Sequence, residues 1–288
     1  MKLSVCPTGR CDLAECPVWD VVAKRLLYLD LAEPTLVEWD DASNIERRHR
    51  LTLPAPLGGL CLRANGLSAV LCRRGLVGLA GTPLRPTGVL TGPDPSFELA
   101  PPNDAGVHPS GCIIVATADR AEEDPVGGVF LISGRTPMRR LAAGYVVGNG
   151  PAFSQDGRTV YLADSPKGVI FAYDWDAERM ALENRRVFAS VPSSSGLPDG
   201  IAVDAEGGVW NARWGGGAVV RYTSGGEESL RVDLPARLVT NCAFGGDNLQ
   251  TLYITTAHEE RSQDRNLGGH LFRADVGLSG LPPARAAI

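Results

Sequence analysis

The sequence of 288 residues contains no apolar run near the roughly 20 residues that a helix needs to cross a bilayer. Its first residues carry one lysine and no long apolar segment, so they are not typical of a secretory signal peptide. Dense lysine and arginine clusters are also missing, and the net charge is −5. We therefore expect a cytoplasmic protein that binds neither nucleic acid nor an anionic membrane.

Several catalytic signatures are missing as well. None of the four histidines belongs to an HxxxH or HExxH pair, which argues against a zinc protease. There is no GxSxG nucleophile elbow and no Walker A loop, so the sequence lacks the usual signatures of serine hydrolases and P-loop nucleotide-binding proteins. The seven cysteines include no CxxC pair, and their odd number favours reduced thiols over a disulfide framework or a zinc site.

The sequence does contain a repeat. Six segments begin with an apolar anchor, pass through a short polar turn that often ends in glycine, and continue into a β-rich run. The anchors lie roughly 41 to 50 residues apart, which is the size of a four-stranded propeller blade. They are Trp19, Leu62, Val107, Phe153, Val203 and Phe244. The repeat predicts an all-β fold, a six-bladed β-propeller formed by one domain over residues 1–288, with about residues 2–13 supplying the outer strand that closes the ring.

A second regularity lies four residues before each anchor. Innermost strands line the central channel of a propeller, so we expect equivalent positions to form a ring around it. These ring positions are Glu15, Gly58, Asn103, Asn149, Asp199 and Thr240. Buried carboxylates are costly unless they are paired or bind a metal, so the pattern predicts a site for a hard divalent cation in the central channel. Taken singly, however, Asp, Asn and Gly before a strand are typical turn formers, and the metal interpretation depends on the repeat register.

Five stretches of the chain resemble the SMP-30/gluconolactonase/regucalcin family of six-bladed propellers, and they occur in the family's order. They are AECPVWD (14–20), PND (102–104), GNGPAFSQDGRTVYLADS (148–165), PDGIAVDAEGGVWNARWGGG (198–217) and TNCAFGGDNLQTLYITTA (240–257). The resemblance implies that Glu15, Asn149 and Asp199 hold one divalent metal ion. It also implies that Asn103 contacts the substrate or a metal-bound water.

Members of this family hydrolyse sugar lactones, and others act on different esters or phosphoesters. The metal varies among them, so calcium, manganese, zinc, magnesium and iron all remain open. The resulting hypothesis is a metal-dependent lactonase that opens a sugar (aldono-) lactone to the free acid. The cation would polarise the lactone carbonyl, and Asp199 would act as metal ligand and general base.

The chain departs from the family pattern around the expected sugar contacts. Family lactonases often have a sugar-binding arginine two residues before the PND asparagine, where this chain has Pro101. Ala121 takes the place of an acidic residue, with Glu122 and Glu123 next to it, and Cys16 replaces a glycine. Arg213 and Trp214 are further candidates for substrate-binding residues at the pocket rim, and Arg213 could replace the missing arginine.

Two alternatives stay open at this point. The same metal could serve a phosphotriester or other ester hydrolase. Alternatively, the chain could be a non-enzymatic calcium-binding propeller that keeps the ring and has lost its substrate pocket. The sequence gives no indication of the oligomeric state.

Overall fold

The computed structural model describes residues 2–134, 136–259 and 267–288. Within them the chain forms 24 β-strands, arranged as six four-stranded antiparallel sheets, and two short 3-10 turns at Pro95–Glu98 and Ser193–Ser195. In this part of the chain no helix has the length and apolar character of a membrane span.

The strands follow one another blade by blade. Strand β1 (Lys2–Val5) comes first, and blade 1 contains β2 (Ala14–Asp20), β3 (Arg25–Asp30), β4 (Thr35–Asp40) and β5 (Ile45–Arg50). Blade 2 contains β6 (Leu57–Leu62), β7 (Ser68–Cys72), β8 (Gly75–Ala80) and β9 (Arg85–Thr91). Blade 3 contains β10 (Pro102–Val107), β11 (Ile113–Thr117), β12 (Gly127–Ser133) and β13 (Thr136–Tyr145). Blade 4 contains β14 (Gly148–Phe153), β15 (Thr159–Asp164), β16 (Val169–Asp176) and β17 (Ala181–Ser190). Blade 5 contains β18 (Leu197–Val203), β19 (Val209–Trp214), β20 (Ala218–Tyr222) and β21 (Glu228–Asp233). Blade 6 contains β22 (Val239–Gly245), β23 (Thr251–Thr256), β24 (Phe272–Asp275) and β1.

The blades close into a ring. Each innermost strand contacts the innermost strands of its two neighbours, and β22 of blade 6 contacts β2 of blade 1. Strand β1 pairs antiparallel with β24, from Lys2 opposite Asp275 to Val5 opposite Phe272. The six-bladed propeller predicted from the repeat is therefore confirmed, and so is its closure by the first segment of the chain.

Apolar packing between blades holds the ring together. Six clusters of buried hydrophobic side chains occur in the described residues, one at each interface between neighbouring blades. All seven cysteines are free and buried, and all seven belong to these clusters. They therefore pack as small apolar residues, as expected for reduced thiols.

Every innermost strand contains a β-bulge at the ring positions. In all six blades the pairing between the first and second strand shifts register there, for example between Glu15 and Val18 in blade 1. A bulge turns the strand locally and redirects its side chains. The bulges therefore place ring residues at equivalent points around the channel.

A strap formed by residues 276–288 crosses one end of the channel. Its backbone bonds to the blades on opposite sides, with Ala205 N donating to Ser279 O at 2.8 Å and Ala286 N donating to Leu62 O at 2.7 Å. Arg285 forms a salt bridge of 2.6 Å with Asp20 in blade 1. The strap bounds a cavity of about 520 Å³ whose other walls are the six innermost strands.

Candidate functional site

A smaller cavity of about 130 Å³ contains most of the predicted site residues, and we call it the acidic cavity. Its polar lining comes from blades 1, 3, 4 and 5 and consists of Glu15, Asn103, Glu122, Asn149, Ser165 and Asp199. Its apolar lining consists of Leu13, Leu31, Val147, Pro166, Leu197 and Trp214. None of the described residues that line it is a lysine, arginine or histidine.

Glu15 lies at the bulge of β2 and is 7% exposed. Its Oε2 accepts hydrogen bonds from the backbone N of Cys16, at 2.8 Å, and from Nδ2 of Asn241 in blade 6, at 3.0 Å. Cys16 has a φ of +54°, a region that favours glycine. This backbone conformation explains why the family pattern has glycine at the position of Cys16.

The two ring asparagines are joined to each other. Asn103 Nδ2 donates to Asn149 Oδ1 at 2.8 Å and to the carbonyl oxygen of Gly148 at 3.1 Å. Asn149 Nδ2 donates to Ser165 Oγ at 2.9 Å. These bonds fix both amides so that Asn149 Oδ1 belongs to the same polar edge of the cavity as Asn103.

Asp199 lies in the bulge of β18 and is 7% exposed. Burial raises the pKa of its carboxyl well above the usual range, and the charges of Glu15 and Asp104 raise this pKa further. Burial and the charge of Asp104 raise the pKa of Glu15 to about 8. Burial raises the pKa of Asp104 to about 6. Three buried carboxyl groups are therefore close enough to oppose one another's ionisation.

These groups have the donor chemistry of a site for a hard cation. Carboxylate and amide oxygens from Glu15, Asp199 and Asn149 are the ligand types that calcium, magnesium and manganese prefer. In the described part of the chain, no group of three or more histidine, cysteine, aspartate or glutamate side chains is placed to hold a metal. The candidate ligands are two carboxylates and amide oxygens, so they differ from a cluster of three such side chains.

The raised pKa values predict how the protein responds to pH when a chelator is present. The folded state keeps a proton on Glu15 up to about pH 8 and on Asp104 up to about pH 6, whereas the unfolded chain has lost both above about pH 5, so the free energy of unfolding should fall as pH rises. We expect a loss of about 2–4 kcal/mol, measured by denaturant titration in EDTA at pH 5, 6.5 and 8. Glu15→Gln should show a flatter profile, and a stability that rises over this range in the wild type would contradict the prediction.

The structure does not bring Arg213 to the acidic cavity. Its side chain is fully buried inside blade 5, where the guanidinium donates to Asn211 Oδ1 and to the hydroxyl of Tyr222. The neighbouring Trp214 does line the cavity. Trp214 therefore lies where a substrate contact is expected, whereas Arg213 has no access to the cavity.

The two remaining ring positions serve packing. A side chain at Gly58 would place its Cβ 2.2 Å from the carbonyl oxygen of Pro102, so glycine permits the close approach of β6 and β10. Thr240 is buried and donates from its hydroxyl to the carbonyl oxygen of Ala14 at 2.6 Å. Both positions hold neighbouring innermost strands together.

Sequence reasoning missed four polar residues near the site. Glu122, rather than Ala121, lines the acidic cavity, and Ser165 orients Asn149. Asp104 and Asn241 each follow a ring position by one residue and are joined by a hydrogen bond of 3.4 Å. Counting one residue further along each repeat would have found this second pair.

The comparisons with known proteins agree with this architecture. The family model described as "SMP-30/Gluconolactonase/LRE-like region" matches residues 13–258. The chain is 30% identical to pentonolactonase XacC from Haloferax volcanii, over 96% of each chain. It is 32% identical to the 6-deoxy-6-sulfogluconolactonase of Pseudomonas putida, over 93% of this chain and 92% of that one.

Among solved structures, the calcium-binding protein regucalcin from Agrobacterium tumefaciens superposes with a TM-score of 0.91. It is 26% identical in sequence, and the match covers 99% of this chain and 97% of that one. Motifs, fold and full-length similarity agree, and we conclude that the chain belongs to the SMP-30/gluconolactonase family.

Proposed function

We propose that the protein is a metal-dependent lactonase that opens a sugar (aldono-) lactone to the free acid in the acidic cavity. One observation carries the proposal: the buried carboxylates of Glu15 and Asp199 line the same small cavity as the amides of Asn103 and Asn149. The names of the lactonases similar to this chain support the substrate class.

In the proposed site, Glu15, Asn149 and Asp199 hold one divalent ion. When bound, such an ion supplies Lewis-acid polarisation of the lactone carbonyl. Its charge would also offset the repulsion between Glu15 and Asp199 and keep both ionised at neutral pH. The identity of the ion stays open among calcium, manganese, zinc, magnesium and iron.

The chain's own residues would perform the remaining steps. Asp199 accepts a proton from the attacking water while the water oxygen bonds to the carbonyl carbon. The bond from the carbonyl carbon to the ring oxygen then breaks, and Asp199 returns the proton to the ring oxygen, which becomes a hydroxyl. Because Asn103 Nδ2 already donates to Gly148 and Asn149, its Oδ1 accepts a hydrogen bond from a substrate hydroxyl.

Chelation and metal return test this function. After EDTA treatment and dialysis, we expect hydrolysis of D-xylono-1,4-lactone and D-glucono-1,5-lactone to fall to background, followed with a pH indicator. Adding back Ca²⁺, Mn²⁺, Zn²⁺, Mg²⁺ or Fe²⁺ singly should restore it with at least one ion. Glu15→Gln is the matched control, since no ion should restore its activity to the wild-type rate.

Other results of this experiment would contradict the proposed function or favour one of the alternatives. Full activity in protein shown by elemental analysis to be metal-free would contradict metal dependence. Turnover of aryl phosphotriesters or p-nitrophenyl esters without lactone turnover would favour the ester hydrolase. Metal binding without turnover of any of these would favour the non-enzymatic propeller. The cytoplasmic location and the lack of nucleic-acid or membrane partners stay predictions.

A further inference from the structure

One position of the repeat carries a charged side chain in the three blades that hold candidate ligands. It lies on the second strand of each blade and pairs with the residue directly before the ring position. The pairs are Ala14 with Asp30, Gly148 with Asp164, and Pro198 with Arg213. All three charged side chains are buried, with exposures of 3%, 0% and 0%. The same position is uncharged in the other three blades, where it is Cys72, Thr117 and Thr256.

In blades 1 and 4 this side chain anchors the segment that leads to the candidate ligand. Asp30 accepts hydrogen bonds from the backbone N of Asp12, at 3.0 Å, and of Leu13, at 3.2 Å. Asp164 accepts from the backbone N of Val146 and Val147, each at 3.3 Å. The last bonded residue in each case lies two residues before the ligand. Each aspartate therefore fixes where its innermost strand enters the ring.

In blade 5 the equivalent side chain is positively charged, and it also acts on the segment that carries the candidate ligand. A guanidinium has no acceptor, so Arg213 cannot bind backbone N–H groups as an aspartate does. It donates instead to Asn211 Oδ1, and Asn211 Nδ2 donates to the carbonyl oxygens of Asp199, at 2.8 Å, and Gly200, at 3.2 Å. If the Asn211 amide were reversed, its NH₂ group would face another donor. Arg213 therefore sets the orientation in which Asn211 holds the bulge that carries Asp199.

Stability alone does not explain an arginine at this place. Its side chain is fully buried, and the salt-bridge partner found in the described part of the chain is Glu228, at 4.0 Å and about half exposed. Arg213 Nε has no hydrogen-bond partner among the described residues. The guanidinium also donates to Asn211 and Tyr222 and lies 5.5 Å from the centre of the Tyr222 ring, but none of these neutral groups cancels its charge. Burying the charge is therefore costly, and an apolar residue of similar volume is often at least as stable.

We propose that Arg213 is a positioning residue for Asp199 and acts through Asn211. This inference rests on the proposed function, because it takes Asp199 as a ligand of the divalent ion. Side chains that orient metal ligands are commonly worth about 10- to 100-fold in metal affinity. The contribution of Arg213 should therefore appear in metal affinity rather than in folding.

The test measures Mn²⁺ binding to the metal-free protein by calorimetry, without substrate. Arg213→Met should weaken Mn²⁺ binding by about 10-fold or more, while its Tm without metal should change by less than about 3 °C, because the replacement is apolar and similar in length. Asn211→Ala should weaken binding at least as much. The double variant should bind no more weakly than Asn211→Ala alone, since Arg213 acts through Asn211.

Arg221→Met is the matched control in the same blade. Arg221 pairs with the buried Asp204 at 2.7 Å, away from the acidic cavity, so its loss should lower Tm and leave Mn²⁺ affinity within about twofold of wild type. Wild-type affinity in Arg213→Met, or a double variant that loses the product of both single effects, would overturn the proposal. A wild-type protein that binds neither Mn²⁺ nor any other divalent ion would instead overturn the proposed function, and the inference with it.

Discussion

Replacing Asp199 with asparagine is expected to reduce lactone hydrolysis by roughly 10³-fold or more, because one carboxylate would serve both as metal ligand and as general base. The same change should stabilise the metal-free protein by about 1–3 kcal/mol at pH 8, since it removes a carboxyl group whose ionisation is opposed by burial and by the charges of Glu15 and Asp104. Function and stability should therefore change in opposite directions. The measurements are initial rates with saturating metal and denaturant titration in EDTA.

The opposite signs separate a site residue from a folding residue. If Asp199→Asn simply misfolded, activity and stability would fall together. Asp233→Asn is the matched control, because Asp233 lies in the same blade with 76% of its side chain exposed, and both quantities should stay near wild type. Activity above a tenth of wild type in Asp199→Asn would contradict the assigned role.

Much of the fold was predictable because a propeller repeats itself in sequence. Anchors such as Trp19 and Phe153 recur at blade spacing, and glycine-ended turns recur between the strands. The strap was not predictable in the same way. Its residues 276–288 form no regular strand, and they are held by isolated backbone hydrogen bonds to several blades, for example from Ala286 to Leu62. Such contacts exist only after the ring has closed.

The candidate site was also predictable in part. Repeat register predicted that Glu15, Asn103, Asn149 and Asp199 would converge, and all four line the acidic cavity. The residues that directly follow the ring positions Glu15, Asn103 and Thr240, however, line the larger cavity beneath the strap, and these are Cys16, Asp104 and Asn241. Register alone gives the position of a bulge and not the direction of each side chain within it.

The alternation of side chains along a strand also explains why Arg213 and Trp214 cannot both line the acidic cavity. Successive residues of a strand point to opposite faces. Trp214 lines the acidic cavity, and Arg213 before it on β19 points into the blade. A stricter use of the period of two would have assigned only one of them to the pocket rim. Glu122, by contrast, lies on a loop between β11 and β12, and no strand pattern could have aimed its carboxylate at the cavity.

The largest loss of stability is expected at Asp204, within the motif that carries Asp199. Its carboxylate is fully buried and accepts from Gly208 N at 2.8 Å, from Trp210 Nε1 at 2.7 Å and from Arg221 Nε at 2.7 Å. Burial opposes ionisation, but the bonds from Arg221 and Trp210 prevail and hold the pKa of Asp204 below its usual value. Asp204→Ala should therefore cost about 3–5 kcal/mol, since it removes the main partner of the Arg221 guanidinium, whose side chain is 13% exposed, and leaves the Trp210 indole N–H unpaired.

Denaturant titration followed by tryptophan fluorescence, to which the buried Trp210 contributes, would measure this loss. Asp156→Ala is the matched control, because Asp156 occupies a similar turn in blade 4 with 60% of its side chain exposed, and it should cost less than about 1 kcal/mol. Adding Arg221→Met to Asp204→Ala should recover part of the loss, because the stranded charge is then gone. If the double variant is less stable than Asp204→Ala alone, the unpaired Arg221 charge is not the source of the cost, and the turn geometry at Gly208 must be.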